Sequence, residues 1–253
     1  MEASLHRASN PIRARRSAGR YTPPLDVRSI SLKELVARLG RGALEQKQFT
    51  LLAGRSDEHD ISLYYSGDLS LLERHSVSIV GTREVSEQGR LRTARLAREL
   101  VRAGVTVVSG LARGVDTAAH CETLAQGGFT TAIIGTPIDK AYPAENASLQ
   151  EMIYREQLLV SPFPAGERVF PSNFPKRNRV MAALTDATVI VEASDASGTL
   201  HQAAECQRLG RWLFILRSVV EDPDLEWPKK FVGKKRVAIL NDTSDVLNAI
   251  RAP

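Results

Sequence analysis

Four short segments of the sequence combine glycines and small hydroxyl residues with arginine or acidic residues, a combination suited to binding phosphate. Glycine lets the backbone approach an anion closely, so that consecutive N–H groups form a cradle, and the N-terminus of a following helix adds partial positive charge. Arginine offers paired N–H donors that match phosphate oxygens. The segments are residues 81–83 (GTR), 109–116 (SGLARGVD), 135–139 (GTPID) and 192–199 (EASDASGT).

Each of these segments follows a short apolar run that is predicted to be a β-strand. Runs such as VSIVG from Val77 and VTVVSG from Val105 alternate with amphipathic helical patterns along most of the chain. Fully apolar strands that alternate with helices favour a parallel sheet covered on both faces. The expected fold is therefore α/β: a Rossmann-like, doubly wound, mostly parallel sheet, with a short helical N-terminal extension. The four segments would converge beyond the carboxyl ends of its strands, near the switch in strand order.

Several arginines lie beside these segments and are candidate phosphate ligands: Arg83, Arg113, Arg177 and Arg179. A purely structural explanation stays open for each loop taken singly, because glycines at strand ends often only make turns. The convergence of four such loops at one edge favours binding.

The chain divides into three predicted parts. Residues 1–27 contain five arginines and few large apolar residues, which predicts a flexible basic tail. Residues 28–60 form a short helical lead-in, in which Ser31 and Glu34 are spaced as a capping box. Residues 61–253 form the main domain.

Composition excludes some classes of protein. The 253 residues carry a formal charge of +5, which suits a polyanionic partner, and two cysteines are too few for a disulfide scaffold or a cysteine-rich zinc site. No apolar run approaches the roughly 18 residues of a membrane helix, and no apolar core follows the early arginines as in a signal peptide. We therefore expect a cytoplasmic protein without a membrane partner.

Catalytic groupings are weak. The glycine spacing differs from a dinucleotide fingerprint, no P-loop lysine motif occurs, and the five histidines lack metal-ligand spacing. Asp116 is expected to cap its helix, and Glu192 has no obvious second acid or nucleophile by spacing. The sequence thus predicts no catalytic residue, metal or cofactor.

Five motifs in a fixed order resemble the DprA/Smf family of DNA-processing proteins, over about residues 60–217. The resemblance implies an extended Rossmann fold and a homodimer that binds single-stranded DNA in a basic pocket. It also implies a non-enzymatic role in natural transformation, in which the protein protects incoming DNA and helps to load the RecA recombinase. The motifs are residues 78–89 (SIVGTREVSEQG), 107–120 (VVSGLARGVDTAAH), 132–146 (AIIGTPIDKAYPAEN), 174–184 (FPKRNRVMAAL) and 189–203 (VIVEASDASGTLHQA).

Carried over position by position, the resemblance implies a set of DNA- and phosphate-binding residues. Arg83 stands in the family's Gly-Ser-Arg turn and is the first candidate for a DNA contact. Phe174 is a candidate for stacking on a base, with a core or hinge role as the alternative. The full set is Gly81, Thr82, Arg83, Gly110, Arg113, Gly114, Phe174, Lys176, Arg177, Asn178, Arg179, Ser197, Gly198 and Thr199.

Two other functions stay open, and one segment departs from the family's pattern. Phosphoribohydrolases of the LOG type carry a glutamate where this chain has Gln202, whereas a sensor of a nucleotide signal would use the same pocket for a small ligand. Residues 213–231 (LFILRSVVEDPDLEWPKKF) replace the segment that family members usually have there. The far rim of the pocket is therefore the part that the resemblance predicts least.

Overall fold

The computed structural model describes residues 21–40 and 60–251, which build one nine-stranded sheet with helices on both faces. The strand order is β1-β2-β6-β5-β4-β3-β7-β8-β9. The strands are β1 (Arg28–Ser31), β2 (Ser62–Gly67), β3 (Ser76–Val80), β4 (Thr106–Ser109), β5 (Thr130–Ile133), β6 (Leu158–Ser161), β7 (Ala187–Ile190), β8 (Trp212–Leu216) and β9 (Val237–Leu240). The helices are α1 (Leu32–Leu39), α2 (Glu87–Arg102), α3 (Val115–Ala125), α4 (Ala147–Glu156), α5 (Asn173–Leu184), α6 (Thr199–Arg208), α7 (Arg217–Val220) and α8 (Thr243–Arg251).

Strands β3 to β9 run parallel, whereas β1 and β2 extend the sheet as an antiparallel edge. The central strands are apolar or β-branched on both faces, and successive residues such as Val107 and Val108 enter opposite cores. One core packs α2, α3 and α8 against the sheet, and the other packs α1, α5 and α6. The predicted α/β, doubly wound, mostly parallel fold is confirmed.

The N-terminal lead-in differs in part from its prediction. Ser31 caps α1 as expected, since its side chain accepts a hydrogen bond from the Glu34 N–H at 3.0 Å. The preceding residues 28–31 form a strand instead of helix, because pairing with β2 satisfies their backbone groups. Leu32 and Leu35 are buried in the main core. Most of the remaining lead-in, residues 41–59, lies outside the described residues.

The predicted flexible tail is also anchored at its C-terminal end. Tyr21 donates through Oη to the Ile138 carbonyl at 2.8 Å, and the Thr22 carbonyl accepts from Tyr154 Oη at 2.8 Å. Residues 1–20, with the five arginines, lie outside the described residues. None of the described helices is long and apolar enough to cross a membrane.

The strand order reverses between β3 and β7, and this switch positions the site. After β3 the chain runs outward through β4, β5 and β6, and it then returns to place β7 on the other side of β3. The loops that follow β3 and β7 therefore diverge to opposite sides and leave a crevice at the carboxyl edge.

Candidate functional site

A cavity of about 440 Å³ occupies this crevice at the strand switch. The loop after β3 and the loop after β7 form two of its walls, and α5 forms the third. The lining residues are Val80, Gly81, Thr82, Arg83, Glu84, Ala112, Asp116, Phe174, Pro175, Arg177, Asn178, Met181, Ser194, Ala196, Ser197, Gly198, Thr199, His201 and Gln202. The four predicted segments thus contribute unequally, because the segment after β5 does not line the cavity.

Helix α5 includes both Arg177 and Arg179. It begins at Asn173 and contains Pro175 in its first turn. Proline is tolerated there because the first-turn N–H groups have no intrahelical partner. Arg177 and Arg179 therefore lie within the helix, where they face different surroundings.

Arg177 forms the floor of the cavity and is almost completely buried. Its guanidinium donates from Nη1 to the Ile133 carbonyl at 2.8 Å and from Nε to Asn178 Oδ1 at 2.9 Å. A Cβ at Gly110 would overlap this guanidinium, so glycine is required there by close packing. Arg177 thus locks the ends of β4 and β5 to α5.

Asp116 supplies the negative charge of the same floor. Its Oδ2 accepts hydrogen bonds from the backbone N–H groups of Gly110 at 3.1 Å and Ala112 at 3.4 Å. These bonds hold the loop before α3, so the residue orders that loop instead of capping the helix as predicted. Gly114 is the N-cap residue of α3 and has a φ of +75°, a conformation in which a residue with a side chain would be strained.

Burial shifts the titration of these groups. Desolvation raises the pKa of Asp116, an effect that the Arg177 charge opposes, and burial also lowers the pKa of Arg177. His120 is fully buried, with Nδ1 at 2.7 Å from Thr130 Oγ1, and burial together with the Arg177 charge lowers its pKa to about 3. The floor therefore holds a buried carboxyl group and a buried guanidinium whose charges favour each other, beside a neutral histidine.

Arg83 and Phe174 lie together at the mouth of the cavity, where Arg83 is exposed and Phe174 is half-buried. The Arg83 guanidinium lies 5.7 Å from the centroid of the Phe174 ring, within the range of a cation–π contact. The ring also packs against Gly135, where a Cβ would come within 2.7 Å of it, and lies 5.6 Å from the exposed Tyr142 ring. The mouth thus groups one arginine with two aromatic rings.

The turn from Ser197 to Thr199 closes the opposite wall. The Ser197 N–H donates to the Ser194 carbonyl at 3.0 Å, and the Thr199 N–H donates to Ser197 Oγ at 3.1 Å. Both amides are therefore hydrogen-bonded within the turn, and the predicted binding of phosphate by Ser197 and Thr199 stays a prediction. Asn178 Nδ2 donates to the Gly198 carbonyl at 3.4 Å and connects the turn to the floor.

Gly198 lies in this wall, and no contact within the described chain requires a residue without a side chain at this position. Its φ is −59°, which any residue adopts, and a Cβ would meet no atom within 4 Å. A larger residue here would project into open space beside the cavity. The position is thus suited to close approach by a ligand.

The predicted site residues separate into three groups. Arg113 forms a bidentate ion pair with Glu145, at 2.6 Å for both contacts, and Arg179 bonds Glu205 at 3.2 Å. Together with the exposed Lys176, these two arginines do not line the cavity, and their predicted contact with DNA stays a prediction. Gly110 and Gly114 lie behind the lining. The cavity brings together Gly81, Thr82, Arg83, Phe174, Arg177, Asn178, Ser197, Gly198 and Thr199.

Other features of the site were missed at the sequence level. Tyr142 lies in an irregular segment that gave no periodic signal, although its aromatic type next to a predicted phosphate loop was a usable clue. Glu192 accepts hydrogen bonds from the Ser86 N–H at 3.2 Å and Oγ at 3.0 Å, which fixes the start of α2. The Glu192 carboxylate is therefore already hydrogen-bonded within the chain.

Comparison with known proteins identifies the family. A family model described as DNA recombination-mediator protein A matches residues 43–251. The chain belongs to this DprA/Smf family. It is 39% identical to Protein Smf of Synechocystis sp. over 168 residues, which are 65% of this chain and 42% of that protein.

Solved structures of DprA proteins share the fold. The DprA structure from Streptococcus pneumoniae superposes with a TM-score of 0.72 at 30% identity, covering 88% of this chain and 74% of that one. The structure from Helicobacter pylori, described for its single-stranded DNA binding mode, gives 0.67 at 28% identity, covering 76% and 88%. The matched regions span 42% and 57% of the full Synechocystis and Streptococcus proteins.

Proposed function

We propose that this protein binds single-stranded DNA at the strand-switch cavity and acts in DNA processing as a DprA-type protein. One observation carries the proposal. Arg83 presents an exposed guanidinium beside the Phe174 ring at the mouth of the cavity, whereas the charged residues of the cavity floor are already hydrogen-bonded to the backbone. Within the described part of the chain, no carboxylate forms an ion pair with Arg83. Its charge is therefore available to a phosphate.

Each part of the cavity has a distinct task in this proposal. Arg83 neutralises a backbone phosphate, and Phe174 stacks on a base, a combination that tolerates any sequence because every base has a π face. Gly198 gives the strand room to approach the wall. Arg177 and Asn178 hold these parts in place and do not need to touch the strand.

The protein-level role that we propose follows the family resemblance. A homodimer would align two cavities on one strand, protect incoming single-stranded DNA in natural transformation, and help to load the RecA recombinase. The arginine-rich residues 1–20 would add phosphate contacts that do not depend on sequence. We place this activity in the cytoplasm.

The proposed action is binding without catalysis. The position of the glutamate in LOG-type phosphoribohydrolases is occupied by Gln202, which is buried and donates from Nε2 to Thr188 Oγ1 at 3.2 Å. A neutral amide cannot supply the negative charge that stabilises an oxocarbenium-like transition state. The described chemistry of the cavity therefore favours a binding protein.

A fluorescence-anisotropy titration tests the proposal. A labelled single-stranded oligonucleotide and the corresponding duplex are titrated with the wild type, with Arg83→Ala, and with Arg102→Ala as a matched control on exposed α2 surface. We expect the wild type to prefer the single strand, with affinity falling by about 0.7 log units per log unit of salt for each phosphate neutralised. Arg83→Ala should weaken binding, and Arg102→Ala should not.

The alternatives give different results. Binding that does not respond to salt, or that is unaffected by Arg83→Ala, would contradict the phosphate assignment. If the wild type bound no DNA but was stabilised against heat by a nucleotide, the cavity would belong to a small-ligand sensor. Release of a free base from a nucleoside monophosphate would contradict the non-catalytic assignment.

A further inference from the structure

The connection between β8 and β9 carries a charge pattern that the cavity does not explain. Its first part, residues 221–226 (EDPDLE), is acidic, whereas residues 229–236 (KKFVGKKR) hold five basic side chains and no acidic one. Trp227 separates the two parts. We call residues 229–236 the basic segment.

Trp227 anchors the start of the basic segment beside the cavity. The side chain is fully buried and donates from Nε1 to the Ala193 carbonyl at 3.0 Å. Its backbone N–H donates to Asp195 Oδ1 at 2.7 Å. The neighbours of Asp195, Ser194 and Ala196, line the cavity, so the basic segment begins next to the cavity wall.

The far end of the basic segment lies at the opposite end of α6. Gln207 Nε2 donates to the Lys235 carbonyl at 3.0 Å, and Arg236 donates to the Gly210 carbonyl at 2.6 Å. Helix α6 begins at the cavity and ends near these contacts. At 1.5 Å per residue its length is about 15 Å, so the basic segment runs roughly that distance away from the cavity.

The lysines of this segment are exposed, and most of them form no ion pair with the described residues, although Lys234 Nζ lies 5.2 Å from the centroid of the Phe231 ring. Lys229 pairs with Glu226 at 2.7 Å. The other three form no ion pair within the described part of the chain: Lys230, Lys234 and Lys235. The neighbouring helix α6 has Glu205 as its single acidic residue, and arginines already pair with that carboxylate. Positive charge therefore dominates along the basic segment.

We propose that the basic segment binds the backbone phosphates of a single strand as it leaves the cavity past the turn at Ser197. This inference rests on the proposed function, because it extends the path of the same ligand. Continuity with the cavity wall favours nucleic acid over an acidic protein. Lysines on an exposed connection suit phosphates of any sequence, since each acts as a mobile point charge.

Oligonucleotides of two lengths test this path. A dinucleotide is confined to the cavity, whereas a strand of about 20 nucleotides reaches beyond it. Both are titrated with the wild type, with Lys234→Gln/Lys235→Gln, and with Lys33→Gln/Arg102→Gln, which removes the same charge from exposed sites elsewhere. Arg83→Ala reports on the cavity itself, and thermal melts verify that each variant is folded.

We expect the Lys234/Lys235 variant to bind the long strand roughly tenfold more weakly and with a salt slope smaller by about 1.4, because two phosphate contacts are lost. Its affinity for the short strand should match the wild type, and the Lys33/Arg102 control should match for both strands. Unchanged binding of the long strand by the Lys234/Lys235 variant would overturn the inference and leave these lysines to an acidic protein or to solvent.

Three further outcomes separate this inference from the proposed function. If the Lys234/Lys235 variant bound both strands equally more weakly, or if the Lys33/Arg102 control weakened binding as much, the lysines would act only through general electrostatic attraction. Either result would overturn the proposed path. Binding of the short strand that depends on Arg83, combined with an ineffective lysine variant, would contradict this inference alone. Failure of the wild type to bind either strand would contradict both.

Discussion

The floor and the rim of the cavity each contain an arginine, and the two arginines serve opposite purposes. We define the floor as Asp116, Arg177 and the neighbouring buried His120, and the rim as Arg83, Phe174 and Gly198. In the floor, hydrogen bonds within the chain occupy Arg177, and burial shifts each titration. In the rim, Arg83 and Gly198 are exposed, and the Arg83 guanidinium contacts the Phe174 ring without an ion pair to any described carboxylate. Burial thus distinguishes an arginine that stabilises the fold from one that is available to a ligand.

The largest expected effect is on the floor. Arg177→Ala leaves the Asp116 carboxylate buried without its cation, so we expect a loss of about 3–5 kcal/mol in the free energy of unfolding. Urea denaturation measures it. In the double variant Arg177→Ala/Asp116→Ala, the loss should be smaller than the sum of the two single losses, since the pair is removed together. Strict additivity would contradict a coupled floor.

The pH dependence of stability tests the same region. The pKa of His120 is about 3 in the folded chain and 6.5 in the unfolded chain. Between these two pH values the unfolded chain binds a proton at His120 that the folded chain does not bind. Stability is therefore complete above about pH 6.5 and falls with pH toward 3, by about 3 kcal/mol at pH 4.5. Urea denaturation from pH 4.5 to 7.5 measures the loss, which should be reduced in His120→Gln. An equal loss in that variant would assign it to other groups.

The rim should show the reverse pattern, a loss of binding without a loss of stability. Arg83→Ala removes one charge-assisted phosphate contact, so we expect single-strand affinity to fall roughly 10–30-fold, which is about 1.5–2 kcal/mol. Its unfolding free energy should stay within about 0.5 kcal/mol of the wild type, as for an exposed position. A substantial loss of stability would show that Arg83 stabilises the fold as the floor residues do, and it would contradict the distinction between floor and rim.

Gly198 offers a sharper version of the same test. Because its φ is −59° and a Cβ meets open space, Gly198→Ala should raise the unfolding free energy by about 0.4–1 kcal/mol through reduced entropy of the unfolded chain. We expect single-strand affinity to fall several-fold, since the methyl group occupies space at the wall. Anisotropy and urea denaturation on one preparation measure both. Unchanged affinity would remove Gly198 from the rim.

The smallest effect is expected at Arg179, which the resemblance places among the DNA contacts. Its guanidinium bonds Glu205 outside the cavity, in a partly exposed pair. Arg179→Ala should therefore change stability by about 0.2–1 kcal/mol and affinity by less than roughly threefold. A loss of affinity as large as that of Arg83→Ala would extend the binding surface along α5 and would place Arg179 among the binding residues, although it does not line the cavity.

Sequence periodicity predicted the sheet because its central strands must be apolar on both faces, and the position of the cavity followed from the strand-switch rule. It missed β1, whose sequence RSIS has one large apolar residue and depends on pairing with β2. It could not show that Arg113 and Arg179 pair with carboxylates, since their partners lie 32 and 26 residues away and only tertiary packing unites them. A sequence shows which residues are charged, but it does not show which of those charges have a partner in the fold.

The adjacency of β3 and β7 also orders the events of folding. Val77 pairs in register with Ala187, more than a hundred residues later, after β4, β5 and β6 have been made. Such distant pairing closes slowly, because its loop entropy is lost before its contacts form. The two walls of the cavity lie on either side of this junction, so a partly folded chain has neither a complete wall nor a mouth. If the cavity binds a single strand as we propose, it can do so only in chains that have completed the pairing of β3 with β7.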